Sequence, residues 1–272
     1  MRFTATQLRQ RVRLYYFSGT GNTRWAAYRF ADAAETLGAG VELIPITDDM
    51  LLDESQDDTD VIGVAHPIYG ADVPPIVKRF FRRLADSIGG DSVKPSLFVL
   101  TTYGFIDALG PKYEQAQMAG LPLRWYSGVH LVNNITTPKR PERIPDEDVA
   151  ERRKAKALPV IEAIAGDVVT GADATPHVSL PSVVGPIVRK ITEGAVRDHY
   201  SHIGIDRDRC VHCKLCIEQC PTNAIIYTER RFHVSDACTA CMRCYSFCPV
   251  QAITIDGEYA DPSLYPRHRG ID

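Results

Sequence analysis

Two stretches near the end of the chain share one spacing of cysteines. Residues 210–221 read CVHCKLCIEQCP and residues 238–249 read CTACMRCYSFCP, so each run has cysteines separated by two, two and three residues and then proline. The second run begins 28 residues after the first, and the two runs hold all eight cysteines of the 272-residue chain. Cysteines crowded in this way indicate either a disulfide framework or a metal site.

The position of the cysteines argues against disulfides. Disulfide frameworks are usually spread through small secreted chains, whereas 209 residues precede the first cysteine in this sequence. The first residues, MRFTATQLRQRVRL, contain no apolar core of a secretion signal, and no apolar run approaches the roughly 18 residues of a membrane span. We therefore predict a cytoplasmic protein whose thiols are reduced and bind metal.

The spacing also separates an iron–sulfur site from a zinc site. Zinc ribbons and fingers usually place two ligands close together and the other pair beyond a long loop. Three closely spaced thiolates can instead surround one face of a cubane cluster, in which each of the four irons takes one thiolate. The same run followed by proline occurs in two-cluster bacterial ferredoxins, where the fourth cysteine of a run binds the other cluster.

The similarity between the two runs extends beyond their cysteines. CPTNAI at 220–225 matches CPVQAI at 248–253, which predicts two half-domains related by internal symmetry. Residues 205–258 resemble the bacterial-type two-cluster ferredoxin fold. The resemblance implies two [4Fe–4S] clusters with crossed ligand sets: Cys210, Cys213, Cys216 and Cys248 for the first, and Cys238, Cys241, Cys244 and Cys220 for the second.

The beginning of the chain reads as a strand, a glycine-rich loop and a helix. Residues 12–17 are apolar and aromatic, as in a buried parallel strand. SGTGNT at 18–23 supplies turn residues, and apolar residues at near-helical spacing then continue to a helix end at Gly38. Free backbone N–H groups and the helix dipole at such a junction attract a phosphate group.

The composition of this loop indicates which class of phosphate-containing ligand it binds. It lacks the lysine of a nucleoside-triphosphate loop, and Arg24 stands at the third glycine position of a dinucleotide-binding pattern. Hydroxyl and amide side chains around small glycines suit a single terminal phosphate monoester. The loop resembles the phosphate loop for flavin mononucleotide (FMN) in the flavodoxin family. Its predicted FMN-binding residues are Ser18, Gly19, Thr20, Gly21, Asn22 and Thr23.

The alternation of strands and helices predicts a doubly wound α/β domain with a five-stranded parallel sheet of the flavodoxin-like kind. The predicted strands lie at 12–17, 41–46, 61–70, 96–104 and about 123–132. The predicted helices lie at 24–37, 75–90, 111–119 and 146–165. In the flavodoxin-like strand order 2-1-3-4-5, ligands bind at the carboxyl ends of strands 1 and 3.

The loops after strands 3 and 4 are the candidates to flank the flavin ring. Tyr69 is the first choice for stacking on the ring, and Tyr103 and Phe105 come second. His66 is a candidate donor to the flavin, and the asparagines at 133–134 are candidates to hold the loops or the ring. The predicted ring-site residues are Pro67, Ile68, Tyr69, Gly70, Thr102, Tyr103, Gly104 and Phe105.

These patterns divide the chain into three parts. A flavodoxin-like domain is predicted over 1–165, a linker with a bridging helix at 183–198 over 166–204, and a small α+β two-cluster ferredoxin-like domain with a C-terminal tail over 205–272. The whole chain resembles flavodoxin–ferredoxin fusion proteins. That resemblance implies FMN and two [4Fe–4S] clusters as cofactors, and a donor and an acceptor among redox proteins as partners.

Three functions remain open at this point. The first is an electron-transfer protein that relays single electrons between the two clusters and FMN. The second is an FMN-dependent reductase that passes electrons to a bound organic or corrinoid-type substrate, with the irregular segment 136–148 available as a lid. The third is a redox-sensing or scaffolding module. A net charge of −3 gives no sign of a nucleic-acid or membrane-surface partner, and no residue is assigned to catalysis.

Overall fold

Nine strands and five helices make up the described part of the chain. The computed structural model describes residues 10–52, 59–88, 95–105, 107, 121–135, 143–172, 203–228 and 231–259. The strands are β1 (Arg11–Tyr16), β2 (Gly40–Pro45), β3 (Val61–Pro67), β4 (Ser96–Tyr103), β5 (Leu123–His130), β6 (Ile203–Ile205), β7 (Ile225–Thr228), β8 (Arg231–Val234) and β9 (Ile253–Ile255). The helices are α1 (Asn22–Thr36), α2 (Pro75–Ser87), α3 (Glu147–Thr170), α4 (Leu215–Glu218) and α5 (Arg243–Phe247).

Five parallel strands form the central sheet in the order β2-β1-β3-β4-β5. Strands β3 and β4, two of the three inner strands, are mostly apolar and almost wholly buried, as expected of parallel strands that are covered by helices on both faces. This is the strand order of a flavodoxin-like sheet, so the predicted fold class is confirmed. The carboxyl ends of β1 and β3 therefore border the crevice where such folds bind ligands.

Aromatic side chains fill the core on both faces of the sheet. On the face covered by α1 and α3, Phe30 stacks on Phe98 with 4.6 Å between ring centroids. The Phe98 ring lies directly over Gly63 in the neighbouring strand, where any Cβ would overlap it. On the face covered by α2, Tyr15 packs on Phe80 with 4.9 Å between centroids. The sheet is thus held rigidly beneath the crevice.

Helix α3 extends beyond its predicted end at 165 and runs into the predicted linker. Val168, near its last turn, is buried against the sheet, and this burial keeps the chain helical past Gly166. The helix ends at Gly171, which has a left-handed φ of 69° and whose N–H, with that of Ala172, returns to the last-turn carbonyls. Trp125 in β5 donates to the Ala172 carbonyl at 2.8 Å and ties this end to the sheet.

Replacing Gly166 by alanine should stabilise the protein. A Cβ at this helical position meets nothing within 4 Å, and alanine lowers the conformational entropy of the unfolded chain. We expect Gly166→Ala to raise the free energy of unfolding by about 0.4–1 kcal/mol, measured by urea denaturation. The matched control Gly171→Ala should lower it, because residue 171 has a left-handed φ. A gain of stability in both variants would contradict the helix end at Gly171.

The small C-terminal unit consists of two antiparallel strand pairs and two short helices. Strand β6 pairs with β9, and β7 pairs with β8. Its core contains Met242, Tyr245, Ile253 and Ile255, and it is completed by Ile144 from the segment before α3. Because Ile144 belongs to the first domain by sequence, the two parts of the chain share this core.

Two predicted helices cannot be compared with the structure. The helix at 111–119 and the bridging helix at 183–198 lie outside the described residues. In the part of the chain that the structure describes, no helix is both long and apolar enough to cross a membrane.

Candidate functional site

The eight cysteines surround two separate pockets in the small unit. One pocket is lined by Cys210, Cys213, Cys216 and Cys248, and these are called the distal group. The other is lined by Cys220, Cys238, Cys241 and Cys244, and these are called the proximal group. Each group takes three cysteines from one run and the fourth from the other. The structure therefore brings together the same two sets of four that the ferredoxin resemblance implies.

The backbone around the two groups repeats as the sequence does. Non-glycine residues with left-handed φ values occur at three positions of the first half and recur 28 residues later: His212, Lys214 and Asn223, then Ala240, Met242 and Gln251. The fourth cysteine of each run accepts a backbone hydrogen bond at its sulfur. Ala224 N–H donates to Cys220 Sγ at 3.3 Å and Ala252 N–H to Cys248 Sγ at 3.2 Å. Such bonds stabilise negative charge on sulfur and tune clusters.

Burial raises the pKa of thiols in both groups. Removal from water raises the pKa of Cys216, in the distal group, to about 11, and that of Cys241, in the proximal group, to about 11. The pKa of Cys244 is also well above its ordinary value, with burial as the first cause and nearby cysteines adding to it. A bound metal supplies the positive charge that lets such thiols ionise.

The donor set fits iron–sulfur clusters in number and kind. Each group offers four cysteine sulfurs, the ligand set of a [4Fe–4S] cluster, in which every thiolate binds a separate iron. Among the residues that the structure describes, no three His, Cys, Asp or Glu side chains are grouped as ligands of a single metal ion. The assignment of individual cysteines as ligands stays a prediction.

Helix α1 begins directly after the SGTGNT loop and has no side-chain cap. Its N-cap is Gly21, with a φ of 109°, and the first helical hydrogen bond runs from Trp25 N–H to the Gly21 carbonyl at 2.9 Å. Four backbone N–H groups make no hydrogen bond within the described residues: those of Gly19, Thr20, Asn22 and Thr23. Unpaired donors at the positive end of a helix form an anion site, so the loop fits the phosphate of FMN.

The hydroxyl groups of this loop are turned into the protein. Thr20 Oγ1 donates to Asn134 Oδ1 at 2.7 Å, and Thr23 Oγ1 lies 2.7 Å from Thr102 Oγ1. All four side chains are buried. The two threonines therefore shape the loop from inside, and the backbone N–H groups remain as the donors for an anion.

The segment after β5 is the second support of the loop. Besides accepting from the Thr20 hydroxyl, Asn134 donates through Nδ2 to the Thr20 carbonyl at 3.3 Å. Asn22 Nδ2 donates to the Val132 carbonyl at 2.9 Å. Asn133 instead bonds with the backbone of Ile135. Of the two candidate asparagines, Asn134 thus holds the phosphate loop through both its side-chain oxygen and its side-chain nitrogen.

The loops after β3 and β4, which are predicted to flank the flavin ring and are called the ring loops, are joined to each other at the carboxyl ends of these strands. Pro67 ends β3, and the next residue, Ile68, donates its N–H to the Thr102 carbonyl at 2.9 Å. Gly70 has a left-handed φ of 55°, which lets the chain turn sharply after Tyr69. These loops border the crevice, as their position in the sequence predicted.

The three candidate stacking residues have different surroundings. Tyr69 meets Phe17 edge-on, with 6.3 Å between ring centroids. Tyr103 is stacked on His130 at 5.2 Å, and His130 Nε2 lies 3.0 Å from the carbonyl oxygen of Gly104. Phe105 is 70% exposed. Their roles in stacking on a flavin ring stay predictions.

Two polar residues under the ring loops are engaged inside the protein. His66 is fully buried, its Nδ1 lies 2.9 Å from the Pro67 carbonyl oxygen, and its ring faces Phe81 of α2. Asp107, which no sequence pattern indicates, accepts hydrogen bonds from Thr101 and Tyr126 in the core. Burial and the Asp107 carboxylate together raise the pKa of the Tyr103 phenol.

The proximal group touches the phosphate loop. The carbonyl oxygen of Cys241 lies against Gly19, where an added Cβ would overlap it and would stand 2.5 Å from the Tyr69 hydroxyl. The guanidinium of Arg243 donates to the Ser18 carbonyl at the start of the loop. The cysteine sites and the anion site are therefore neighbours, a contact for which the sequence carries no local signal.

Further hydrogen bonds fasten the second cysteine run and its surroundings to the first domain. Ile76 N–H, in the first turn of α2, donates to Thr239 Oγ1 at 3.3 Å. Asp48 N–H donates to the Pro221 carbonyl at 2.9 Å, and the Asp48 carboxylate is held by Arg79. The contact is thus built largely from backbone groups, which fix distance better than long side chains do.

Residues 203–255 match the family model described as a 4Fe-4S dicluster domain. This match covers both cysteine groups. The predicted combination of a flavodoxin-like fold with a two-cluster ferredoxin-type segment is therefore confirmed. No curated protein matches the chain.

Solved structures similar to the first part of the chain include several flavodoxins. The flavodoxin of Streptococcus pneumoniae TIGR4 is 19% identical, with 60% of this chain and 99% of that chain covered and a TM-score of 0.42. Megasphaera elsdenii flavodoxin is 22% identical over 57% and 98% of the two chains, with a TM-score of 0.41. Flavodoxin 1 of Bacillus cereus is 19% identical over 62% and 100%, with a TM-score of 0.39. With TM-scores below 0.5, these likenesses add nothing to the observed strand order.

Proposed function

We propose that this protein is an electron carrier that relays single electrons between two [4Fe–4S] clusters and an FMN. A 4Fe-4S dicluster segment joined to a flavodoxin-like fold supports an electron-transfer iron–sulfur flavoprotein in general. The finer proposal depends on one observation, the contact of the Cys241 carbonyl with Gly19 of the phosphate loop. Through this contact the proximal cysteine group adjoins the anion site.

Each cofactor would have its own set of residues. The distal and proximal groups would each hold one cluster, and the backbone N–H groups at 19, 20, 22 and 23 would hold the FMN phosphate. A bound cluster would exchange one electron, and a bound flavin would carry two and pass them one at a time, while the protein sets distance, orientation and potential. The proposed order of sites is the distal group, the proximal group and the phosphate loop.

Short contacts hold the proximal group at a fixed distance from the phosphate loop. Cys241 meets Gly19 through its backbone, and Thr239 meets the first turn of α2 through a single short side chain. Asn134 and Thr102 hold the loop from the other side. Because none of these contacts uses a long flexible side chain, the proximal group and the loop are positioned together.

The reductase alternative would require a lid beside the flavin. Its candidate segment is 136–148, of which 136–142 lie outside the described residues. None of the described contacts favours a second substrate, so electron carriage is the function that we propose. The redox-sensing alternative is tested by the same cofactor measurement as the proposal.

A cofactor inventory tests the proposal directly. Protein purified without oxygen should contain about eight irons, eight acid-labile sulfides and one FMN per chain. Full clusters without flavin, even after FMN is added, would contradict electron carriage through FMN and favour the redox-sensing module.

The location of the flavin is tested by a loop variant. The double variant Thr20→Leu, Thr23→Leu removes the two hydroxyls that tie the loop to Asn134 and Thr102. We expect it to lose nearly all its FMN while keeping its iron. Thr36→Leu at the other end of α1, where the hydroxyl only bonds the Asp32 carbonyl, is the matched control and should keep both. Flavin retained in the double variant would place the phosphate elsewhere.

A further inference from the structure

One arginine connects both cysteine runs to the phosphate loop. Arg243 is the first residue of α5 and stands in sequence between the proximal cysteines 241 and 244. Its guanidinium donates to the Ser18 carbonyl and, through Nη1, to the Gln219 carbonyl at 3.2 Å. Ser18 begins the phosphate loop, and Gln219 precedes Cys220, the proximal cysteine supplied by the first run. The rigid fork of a guanidinium suits such a double contact.

The charge of Arg243 has no carboxylate partner in the described part of the chain. Its two hydrogen-bond partners are both carbonyl oxygens, and the side chain is partly buried. Arg243 lines the proximal pocket together with the four proximal cysteines. Its positive charge also reaches the end of β1, where burial raises the pKa of the Tyr16 phenol and Arg243 opposes that rise. A positive charge therefore lies between the proximal group and the loop.

The repeat shows that the position of Arg243 has no cationic counterpart in the distal half. Position 215, 28 residues before Arg243, is a leucine and is likewise the first residue of its short helix. The two halves agree in their left-handed positions and in the hydrogen bonds to their fourth cysteines. They differ at this position, where the proximal half carries a cation and the distal half an apolar side chain. The distal pocket has a cation one residue earlier, Lys214, so what is particular to the proximal half is a cation at the position that reaches the loop.

We infer that Arg243 is a positioning residue that fastens the proximal group to the phosphate loop and supplies both sites with one positive charge. The inference rests on the proposed function, because it assigns cofactors to both sites. Reduction adds one negative charge to a thiolate-bound cluster, so a fixed cation beside the thiolates favours the reduced state. The same cation favours a bound phosphate. Arg243 would therefore give a cluster in the proximal group a higher reduction potential than the four cysteines alone would give it.

Two substitutions distinguish the effect of the positive charge of Arg243 from the effect of its hydrogen bonds to two carbonyl groups. In anaerobically purified full-length protein, Arg243→Gln should shift the redox equilibrium of the proximal cluster about tenfold toward the oxidised state, which is about 59 mV for one electron. FMN should also bind about tenfold more weakly. Arg243→Lys should keep the potential near that of wild type. Hydrogen exchange of residues 18–23 should rise in both variants, because neither side chain can span two carbonyls as the guanidinium does.

The readouts are electron paramagnetic resonance during a redox titration, FMN fluorescence and hydrogen exchange. Arg209→Gln is the control, since Arg209 precedes the distal Cys210 and packs on Tyr259; it should leave the proximal potential unchanged. An unchanged proximal potential in Arg243→Gln, or a Lys variant shifted as far as the Gln variant, would overturn the inference. Wild-type protein with clusters but no FMN would contradict the proposed function, while the inference would still be decided by the proximal potential.

Discussion

Replacing Cys220 by alanine should remove the cluster of the second cysteine run, although Cys220 belongs to the first run. Cys220 lines the proximal pocket together with three cysteines of the second run, and its charge contributes to the raised pKa of Cys238 after burial. A cluster that loses one of four thiolates leaves an iron without its protein ligand. We expect Cys220→Ala protein to retain about four of eight irons, the content of one [4Fe–4S] cluster.

Combined substitutions show which cluster has been lost. Adding Cys241→Ala to Cys220→Ala should release no further iron, because both cysteines would bind the same cluster. Adding Cys213→Ala instead should release the remaining irons. Cys248→Ala is the mirror-image control, and it should behave as Cys213→Ala does. If Cys220→Ala with Cys213→Ala keeps half of the iron, each run binds its own cluster and the crossed assignment is wrong.

Replacing Gly19 by alanine should weaken FMN binding without loss of iron. The added Cβ would overlap the Cys241 carbonyl oxygen and stand 2.5 Å from the Tyr69 hydroxyl, so the loop or the cysteine run must move. Overpacking of this kind costs about 1–3 kcal/mol, which corresponds to about a 5- to 150-fold loss of FMN affinity if the strain falls on the loop. Fluorescence titration with FMN measures the loss.

The control for this variant is another glycine of the same domain. Gly40→Ala in β2 places a Cβ where nothing lies within 4 Å, so its FMN affinity should match that of wild type. Hydrogen exchange over 238–243 should rise in the Gly19 variant alone, because the cysteine run would lose its contact with the loop. Wild-type affinity and wild-type exchange in Gly19→Ala would contradict the contact.

The central sheet could be predicted because its signal is local. Strands β3 and β4 each contain a continuous apolar run, and α2 places Ile76, Phe80 and Leu84 on one face at helical spacing. Each pattern lies within about 15 residues and is produced by burial alone. The end of α3 was placed too early at 165, because Gly166 resembles a helix stop while the buried Val168 continues the helix.

The grouping of the cysteines could also be predicted, because the sequence itself shows the spacing within each run and the 28-residue repeat. The contacts that join the proximal cysteine group to the phosphate loop and to α2 could not be predicted. Arg243 and Ser18 are 225 residues apart, and Thr239 and Ile76 are 163 apart. Contacts between single polar groups leave no repeating pattern in the sequence, because they depend on how two folded surfaces pack against each other. For the same reason the stack of Tyr103 on His130, from a neighbouring strand, could not be anticipated.

The contact between Gly19 and Cys241 limits how freely the two halves of this chain can be exchanged. A chimera with a different flavodoxin-like half would need glycine at position 19, and backbone N–H groups placed as those of Asp48 and Ile76 are, to meet Pro221 and Thr239. A transplanted cysteine segment would likewise need a partner loop of matching shape. Recombination that preserves the junction must therefore carry the loop and the second cysteine run as one inherited unit, although more than 200 residues of sequence lie between them.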